Sequence, residues 1–198
     1  MTTNPHPRIT PEEYLRIERD AEWKSEYLDG EMFAMAGASF NHTLITLNLG
    51  AELRAGLQNK PCTAHTNELR VTTDPLRHYT YPDVVVICEP PQFVDNRRDT
   101  IRNPTLIAEV LSESTEKYDR GAKSERYRAV PTLAEYMLVS QERVHVELYT
   151  RQPNGIWSLR EWNDPDAEID LSSVGCRLKI AGVYSKVVFD ATTDSSTT

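Results

Sequence analysis

The feature that most constrains the fold is a short apolar run at residues 84–87, Val-Val-Val-Ile, which follows Tyr81-Pro82. Four successive β-branched residues without polar alternation predict a strand that is covered on both faces. The stretch TLIAEVLS at 105–112 reads as another strand. We therefore expect an α/β (α+β) chain in which helices flank a central mixed sheet.

Two patterns near the amino end predict a short helix and a hairpin. The segment TPEE at 10–13 combines an N-cap threonine, a proline at the first helical position and a glutamate three residues after the cap, which predicts a helix over about 11–20. Further on, Asp29-Gly30 divides KSEYLDGEMFAM into two short apolar-rich halves. This dipeptide tolerates the positive φ angles of a two-residue turn and predicts a β-hairpin.

A longer helix is expected from Ser39, as its cap, to about Gln58. Its apolar residues recur every four positions and would form a stripe against the sheet: Ile45, Leu49, Leu53 and Leu57. Another helix is predicted over roughly 116–129, ending before Pro131. Further strands are expected in CTAHTNELRVTT, LAEYMLVS and VHVELYTR, with a last hairpin in IWSLREW and a loop over 89–104.

Length and composition indicate one globular domain. The chain has 198 residues, of which 39% are hydrophobic and 26% charged. We expect a single domain over 10–190, with disordered ends at 1–9 and 191–198. No apolar run approaches the roughly 20 residues of a membrane span, and no secretory signal is visible, so a cytoplasmic location without membrane contact is expected.

The cysteines and the charge bear on compartment and partners. Cys62, Cys88 and Cys176 are odd in number and widely spaced, so we expect reduced, structural thiols.

The net charge of -8 opposes non-specific coating of a polyanion. Residues 97–128 differ, with eight basic residues against six acidic ones. A nucleic-acid surface would lie in this stretch, although an ordinary solvated helix has the same charge pattern.

Two acidic residues stand where apolar neighbours predict burial. Asp83 opens the run 84–87, and Glu109 interrupts T-L-I-A-E-V-L. An ionised carboxylate is expensive to remove from water unless it is paired or binds a metal. Two alternatives stay open from the residues alone: Asp83 can cap a backbone amide, and Glu109 can pair with an arginine of the next helix.

The surrounding motifs resemble those of a known family. Pro82-Asp83, followed by a strand carrying Glu109-Val110-Leu111, resembles the PD-(D/E)XK nuclease superfamily. Three longer stretches are similar to its Uma-type restriction endonuclease family: EYLDGE at 26–31, SFNH at 39–42 and EVLSESTEKYDRGAKSERY at 109–127. The resemblance covers the chain up to about residue 150, and it implies a restriction-endonuclease-like core.

The resemblance also implies chemistry. Asp83, Glu109 and the carbonyl of Val110 would hold Mg²⁺ or Mn²⁺, and the enzyme would hydrolyse phosphodiester bonds in DNA as an endonuclease. Hard oxygen ligands suit these ions, and the ion neutralises charge on the phosphate while it activates a water. A homodimer is expected because a duplex has two strands to cut.

The chain departs from the superfamily pattern at one position. Leu111 stands where the motif expects a lysine, on the same strand face as Glu109. Lys123 on the next helix can supply the missing cation, although it can equally be a solvated helix lysine. The family-like stretches add Glu26 and His42 as further catalytic candidates, with a simple ion pair and a local backbone contact as their structural alternatives.

Two functions therefore compete at this level. The first is metal-dependent cleavage of DNA by Asp83, Glu109 and Lys123. The second is a catalytically silent binding or assembly module with a nuclease fold, which Leu111 and the net acidity favour.

Overall fold

The computed structural model describes residues 8–189. The helices are α1 (Pro11–Asp20), α2 (Phe40–Gly56), α3 (Glu116–Tyr118), α4 (Ser124–Ala129) and α5 (Ile180–Val183). The strands are β1 (Ser25–Leu28), β2 (Glu31–Ala34), β3 (Thr63–Thr66), β4 (Arg70–Asp74), β5 (His78–Thr80), β6 (Val84–Ile87), β7 (Thr100–Ile101), β8 (Leu106–Leu111), β9 (Glu135–Ser140), β10 (Val146–Arg151), β11 (Trp157–Trp162), β12 (Glu168–Leu171) and β13 (Cys176–Lys179). Most of the ends predicted to be disordered lie outside the described residues.

The strands form two larger sheets and one small hairpin. The six-stranded sheet has the order β11-β10-β9-β8-β6-β3, and β8 pairs with β9 in parallel while the other neighbours are antiparallel. The five-stranded sheet has the order β2-β1-β5-β4-β7, and β12 pairs with β13. The expected mixed sheet flanked by helices is confirmed.

Apolar layers cover both faces of the six-stranded sheet, as the run 84–87 predicted. On one face, Val84 and Val86 pack in the cluster that contains the α2 stripe Ile45, Leu49, Leu53 and Leu57. On the other face, Val85 and Ile87 share a cluster with Tyr127 of α4. That cluster also contains Val71 and Ile101 of the five-stranded sheet, so the two sheets share apolar contacts. Among residues 8–189, no helix has the length and apolarity required to cross a bilayer.

The predicted hairpin forms with Asp29 and Gly30 at its turn. Their φ angles are 50° and 97°, and the ladder pairs Leu28 with Glu31 and continues to Ser25 opposite Ala34. The N–H of Ile9 donates to the carbonyl of Gly30 at 3.0 Å. The turn therefore sets the register of the strand that carries Glu26.

Replacing Gly30 by alanine should lower the free energy of unfolding by about 1–2 kcal/mol, because alanine is strained at positive φ. An added Cβ would also lie 2.9 Å from the Cβ of Arg8. Chemical denaturation measures the change. Gly37→Ala is the matched control, since its Cβ meets nothing within 4 Å. Equal losses in the two variants would contradict this account of the turn.

Several elements differ from the expectations. The helix predicted over 116–129 contains a π-helical turn at Asp119–Lys123, where Gly121 leaves helical geometry. The segment IWSLREW is not the last hairpin, because it forms β11 against β10 and the β12–β13 hairpin and α5 follow. The loop over 89–104 includes the two-residue β7, which pairs with β4 in parallel.

The expectation of three reduced cysteines is wrong for two of them. Cys62 and Cys88 form a disulfide, and Cys176 is a free, buried thiol. The two bonded residues flank the β3–β6 ladder, in which Thr63 pairs with Ile87, so they face each other at its end. The two cysteines are 26 residues apart in sequence, and only the pairing of β3 with β6 brings them together, so local sequence patterns do not predict the bond.

Candidate functional site

Strand pairing brings Asp83 and Glu109 together. Val84 of β6 pairs with Ala108 of β8, so Asp83 lies opposite Glu109 one step further along the ladder. The N–H of Asp83 donates to Oε2 of Glu109 at 3.2 Å, and the N–H of Val110 donates to Oδ2 of Asp83 at 2.8 Å. Asp83 thus does cap a backbone amide, and this contact also holds its carboxylate beside Glu109.

Lys123 lies against this pair. Its Nζ is 2.9 Å from Oε1 of Glu109, 3.2 Å from Oε1 of Glu26 and 3.4 Å from Oδ1 of Asp119. Its side chain is only 8% exposed, so the solvated alternative does not describe it. The hydroxyl of Tyr127 also donates to Oε1 of Glu109 at 2.8 Å. The partner of Glu109 is therefore a lysine and a tyrosine of the following helical segment.

The π-helical turn sets the position of this lysine. It places both Asp119 and Lys123 in the interior, where the hydroxyl of Tyr136 donates to the carbonyl of Asp119 at 3.0 Å. Leu111, in the place of the motif lysine, packs in the apolar cluster that also contains Tyr127. The ammonium group that contacts Glu109 therefore belongs to Lys123 of the helical segment, whereas Leu111 is part of the apolar core.

His42 and Glu26 approach the site from two other elements. Nε2 of His42, in the first turn of α2, is 3.3 Å from Oδ2 of Asp83. Burial alone would lower the pKa of His42, but its contacts with Asp83 and the Val110 carbonyl outweigh burial and raise it. Glu26 of β1 accepts a hydrogen bond from the hydroxyl of Thr80. All five predicted side chains, Glu26, His42, Asp83, Glu109 and Lys123, are brought together.

The site holds more negative than positive formal charge. The carboxyl groups of Glu26, Glu109 and Asp119 all contact the ammonium group of Lys123. The carboxyl group of Asp83 lies next to them, since its backbone N–H donates to Glu109. Burial raises the pKa of Glu109 to about 8 and also raises that of Asp119. Burial alone would lower the pKa of Lys123, but the surrounding carboxylates hold it well above its ordinary value. A cluster so short of positive charge favours an added cation.

The charge balance predicts a pH effect on stability in the metal-free protein. A carboxyl group with a higher pKa in the folded chain stabilises the fold fully below its unfolded pKa and loses that contribution as pH rises through its folded pKa. For Glu109 this window extends from about 4.5 to about 8. We expect the unfolding temperature measured in EDTA to fall from pH 5 to pH 8.5, and to fall less in Glu109→Gln. Identical slopes for the two proteins would contradict this.

The residues at the site fit a hard divalent ion. The carboxylates of Asp83 and Glu109 and the carbonyl of Val110 offer oxygen ligands of the kind that Mg²⁺ and Mn²⁺ prefer. Among residues 8–189, no hydrogen bond or ion pair involves Oδ1 of Asp83, whereas Oδ2 is held by Val110 and His42. One oxygen of this carboxylate thus remains available to a ligand.

Two members of the cluster, Asp119 and Thr80, are not among the site residues predicted from the sequence. The spacing of Asp119 and Lys123, four residues apart on one predicted helix, is a usable signal for an inward-facing ion pair. Thr80 offered no such signal, because its contact with Glu26 depends on the pairing of distant strands.

Comparisons with known proteins identify the family of this chain. A family model, Uma2, described as "Putative restriction endonuclease", matches residues 11–181. Two uncharacterized proteins of Synechocystis sp. (strain ATCC 27184 / PCC 6803 / Kazusa) are similar to the chain. The first, slr1290, is 36% identical over 93% of this chain and 96% of its own length. The second, sll1609, is 39% identical over 83% of this chain and 93% of its own length.

A solved structure shares the fold. It is the crystal structure of a "putative nuclease belonging to DUF820" from Anabaena variabilis ATCC 29413, with a TM-score of 0.72 and 20% sequence identity. The match covers 91% of this chain and 99% of the other. With the family match over most of its length, this chain belongs to the Uma2 family of nuclease-like proteins.

Proposed function

We propose that this protein is a metal-dependent endonuclease that hydrolyses phosphodiester bonds in DNA. Asp83, Glu109 and the Val110 carbonyl would hold Mg²⁺ or Mn²⁺. The observation that carries the proposal is the 2.9 Å contact of Lys123 Nζ with Glu109, which supplies an ammonium group although the motif lysine is replaced by Leu111. Burying a lysine among three carboxylates is costly, and apolar side chains of similar volume would maintain the fold equally well. The buried lysine therefore indicates a function beyond folding.

The residues would divide the work by position. A bound divalent ion would neutralise phosphate charge and lower the pKa of a water. Lys123 would stabilise charge on the phosphate or orient the attacking water. Glu26 would hold Lys123 through their 3.2 Å contact, and His42 would hold Asp83 or contact the phosphate. The two carboxylates would thus bind the metal ion, while the ammonium group of Lys123 would act on the phosphate or the attacking water.

DNA as the substrate is supported by the family and by local charge. The helical segment of Lys123 also carries Lys117, Arg126 and Arg128. These side chains can approach phosphates despite the acidic net charge. A homodimer, which would present two sites to the two strands, and a cytoplasmic location stay predictions.

Metal-dependent nicking of plasmid DNA tests the proposal directly. Protein stripped with EDTA should leave supercoiled DNA intact, and added Mg²⁺ or Mn²⁺ should produce nicked and linear forms, since the carboxylates need the ion to bind phosphate. Gel electrophoresis measures the products over time. Intact plasmid after prolonged incubation with each ion would count against the proposed enzyme.

The alternative is a catalytically silent binding or assembly module with a nuclease fold. Leu111 and the net charge of -8 favour it. Such a module would leave duplex DNA uncut in both Mg²⁺ and Mn²⁺. Folded protein that yields no cleavage products in either ion would support this alternative over the nuclease.

A further inference from the structure

A second group of side chains that can bind a metal lies at β10 and β11 and shares no residue with the site above: His145 just before β10, Glu147 on β10 and Glu161 on β11. Glu147 and Glu161 are directly opposite each other in the β10–β11 ladder. His145 precedes Glu147 by two residues. One nitrogen of His145 and one oxygen of each glutamate all lie within 4.8 Å of one another. The three side chains therefore converge on one point at the edge of the six-stranded sheet.

Two glutamates opposite each other repel, and a cross-strand pair of like charge destabilises a sheet. Glu147 is buried, with its side chain 4% exposed. Its Oε2 is 2.5 Å from Nη1 of Arg120, so that oxygen already has a cation. Its Oε1 faces the other way, 2.9 Å from Nε2 of His145. Oε1 of Glu161 lies 3.7 Å from the same nitrogen.

Asn163 orients the imidazole of His145. Nδ1 of His145 lies 2.6 Å from the amide oxygen of Asn163, which can only accept a hydrogen bond. With Nδ1 directed at this oxygen, Nε2 faces Oε1 of both Glu147 and Glu161. A divalent cation bound between these three atoms would offset the repulsion between the two glutamates. A ring nitrogen that donates to an amide or carboxylate oxygen is also typical of histidines that bind metals.

We propose that His145, Glu147 and Glu161 bind a divalent transition metal of the Zn²⁺ class. One imidazole nitrogen and two carboxylate oxygens form a ligand set that Zn²⁺ accepts, with water in the remaining position. An imidazole ligand favours such ions over Mg²⁺. The ion fixes Glu147, and Glu147 fixes Arg120 in the π-helical turn that also carries Lys123. The site thus stabilises the helical segment beside the candidate catalytic cluster.

Isothermal titration with Zn²⁺ alone tests the site, using full-length protein stripped of metal. The titrations are made in an Asp83→Asn background so that the Asp83–Glu109 pair contributes little. We expect one equivalent of Zn²⁺ to bind, and Glu161→Gln to weaken this binding at least about tenfold, since even outer partners of a metal site contribute 10–100-fold. Glu161 is half exposed, so this variant should fold even if His145→Gln does not. Zn²⁺ should also raise the unfolding temperature of the Asp83→Asn protein, and should raise it less once Glu161→Gln is added.

The matched control is His65→Gln. His65 lies on β3, at the opposite edge of the same sheet. The substitution should therefore leave Zn²⁺ binding unchanged. Equal Zn²⁺ affinity with and without Glu161, or no Zn²⁺ binding at all, would overturn the proposal. Neither result would depend on DNA cleavage, so the nuclease proposal would be judged separately.

Discussion

Asp83→Asn should reduce metal-dependent plasmid cleavage by about a thousandfold or more, equivalent to about 4 kcal/mol of transition-state stabilisation. Asparagine can still accept the hydrogen bond from the Val110 N–H, so strand pairing and fold should persist. It loses the charge that a divalent ion requires of its ligand. Initial rates over a range of Mn²⁺ concentrations, with circular dichroism as a check of folding, measure the effect.

Asp170→Asn provides the matched control, because Asp170 is an exposed aspartate on β12. Its cleavage rate should equal that of the unchanged protein. Cleavage that persists at full rate in Asp83→Asn would mean either a contaminating nuclease or a site elsewhere, and the assignment of the carboxylate pair would fail.

Lys123→Met should lower the cleavage rate by roughly a hundredfold to a thousandfold, the usual cost of removing a group that stabilises transition-state charge. Methionine retains the length and the apolar stem of the side chain. Removing the ammonium leaves Glu26, Glu109 and Asp119 without their shared partner. Metal affinity should therefore rise or hold while the rate falls, and Mn²⁺ titration calorimetry separates these two effects.

Lys117→Met is the control for this substitution, since Lys117 is an exposed lysine on α3 of the same helical segment. It should change cleavage only slightly and mainly at low salt. An unchanged cleavage rate in Lys123→Met would show that Lys123 has no role in the reaction. The assignment of Asp83 and Glu109 would not be affected by that result. A parallel loss of metal binding would instead indicate a purely structural role.

Much of the fold follows from local sequence signals. The cap at Thr10, the turn at Asp29-Gly30 and the apolar stripe beginning at Ile45 each depend on residues that are close in sequence. For the same reason, the run 84–87 predicted a strand covered on both faces, and this is confirmed. Periodicity and capping therefore suffice where the determining contacts are short-range.

The remaining features depend on distant contacts. The disulfide joins Cys62 to Cys88 only because β3 pairs with β6. The β12–β13 hairpin was not predicted from the sequence, and its apolar residues pack on the face that α2 covers. The cluster of His145 with Glu161 requires the register of β10 and β11, which local patterns do not specify.

The route between the parallel strands β8 and β9 has an evolutionary consequence. Parallel strands need a long connection, and here that connection contains the π-helical turn with Lys123. The ammonium group therefore comes from the connection and not from strand β8 itself. Searches that demand a lysine two positions after the strand glutamate would overlook this protein, whereas a pattern that pairs the strand glutamate with a lysine in the crossover would include it.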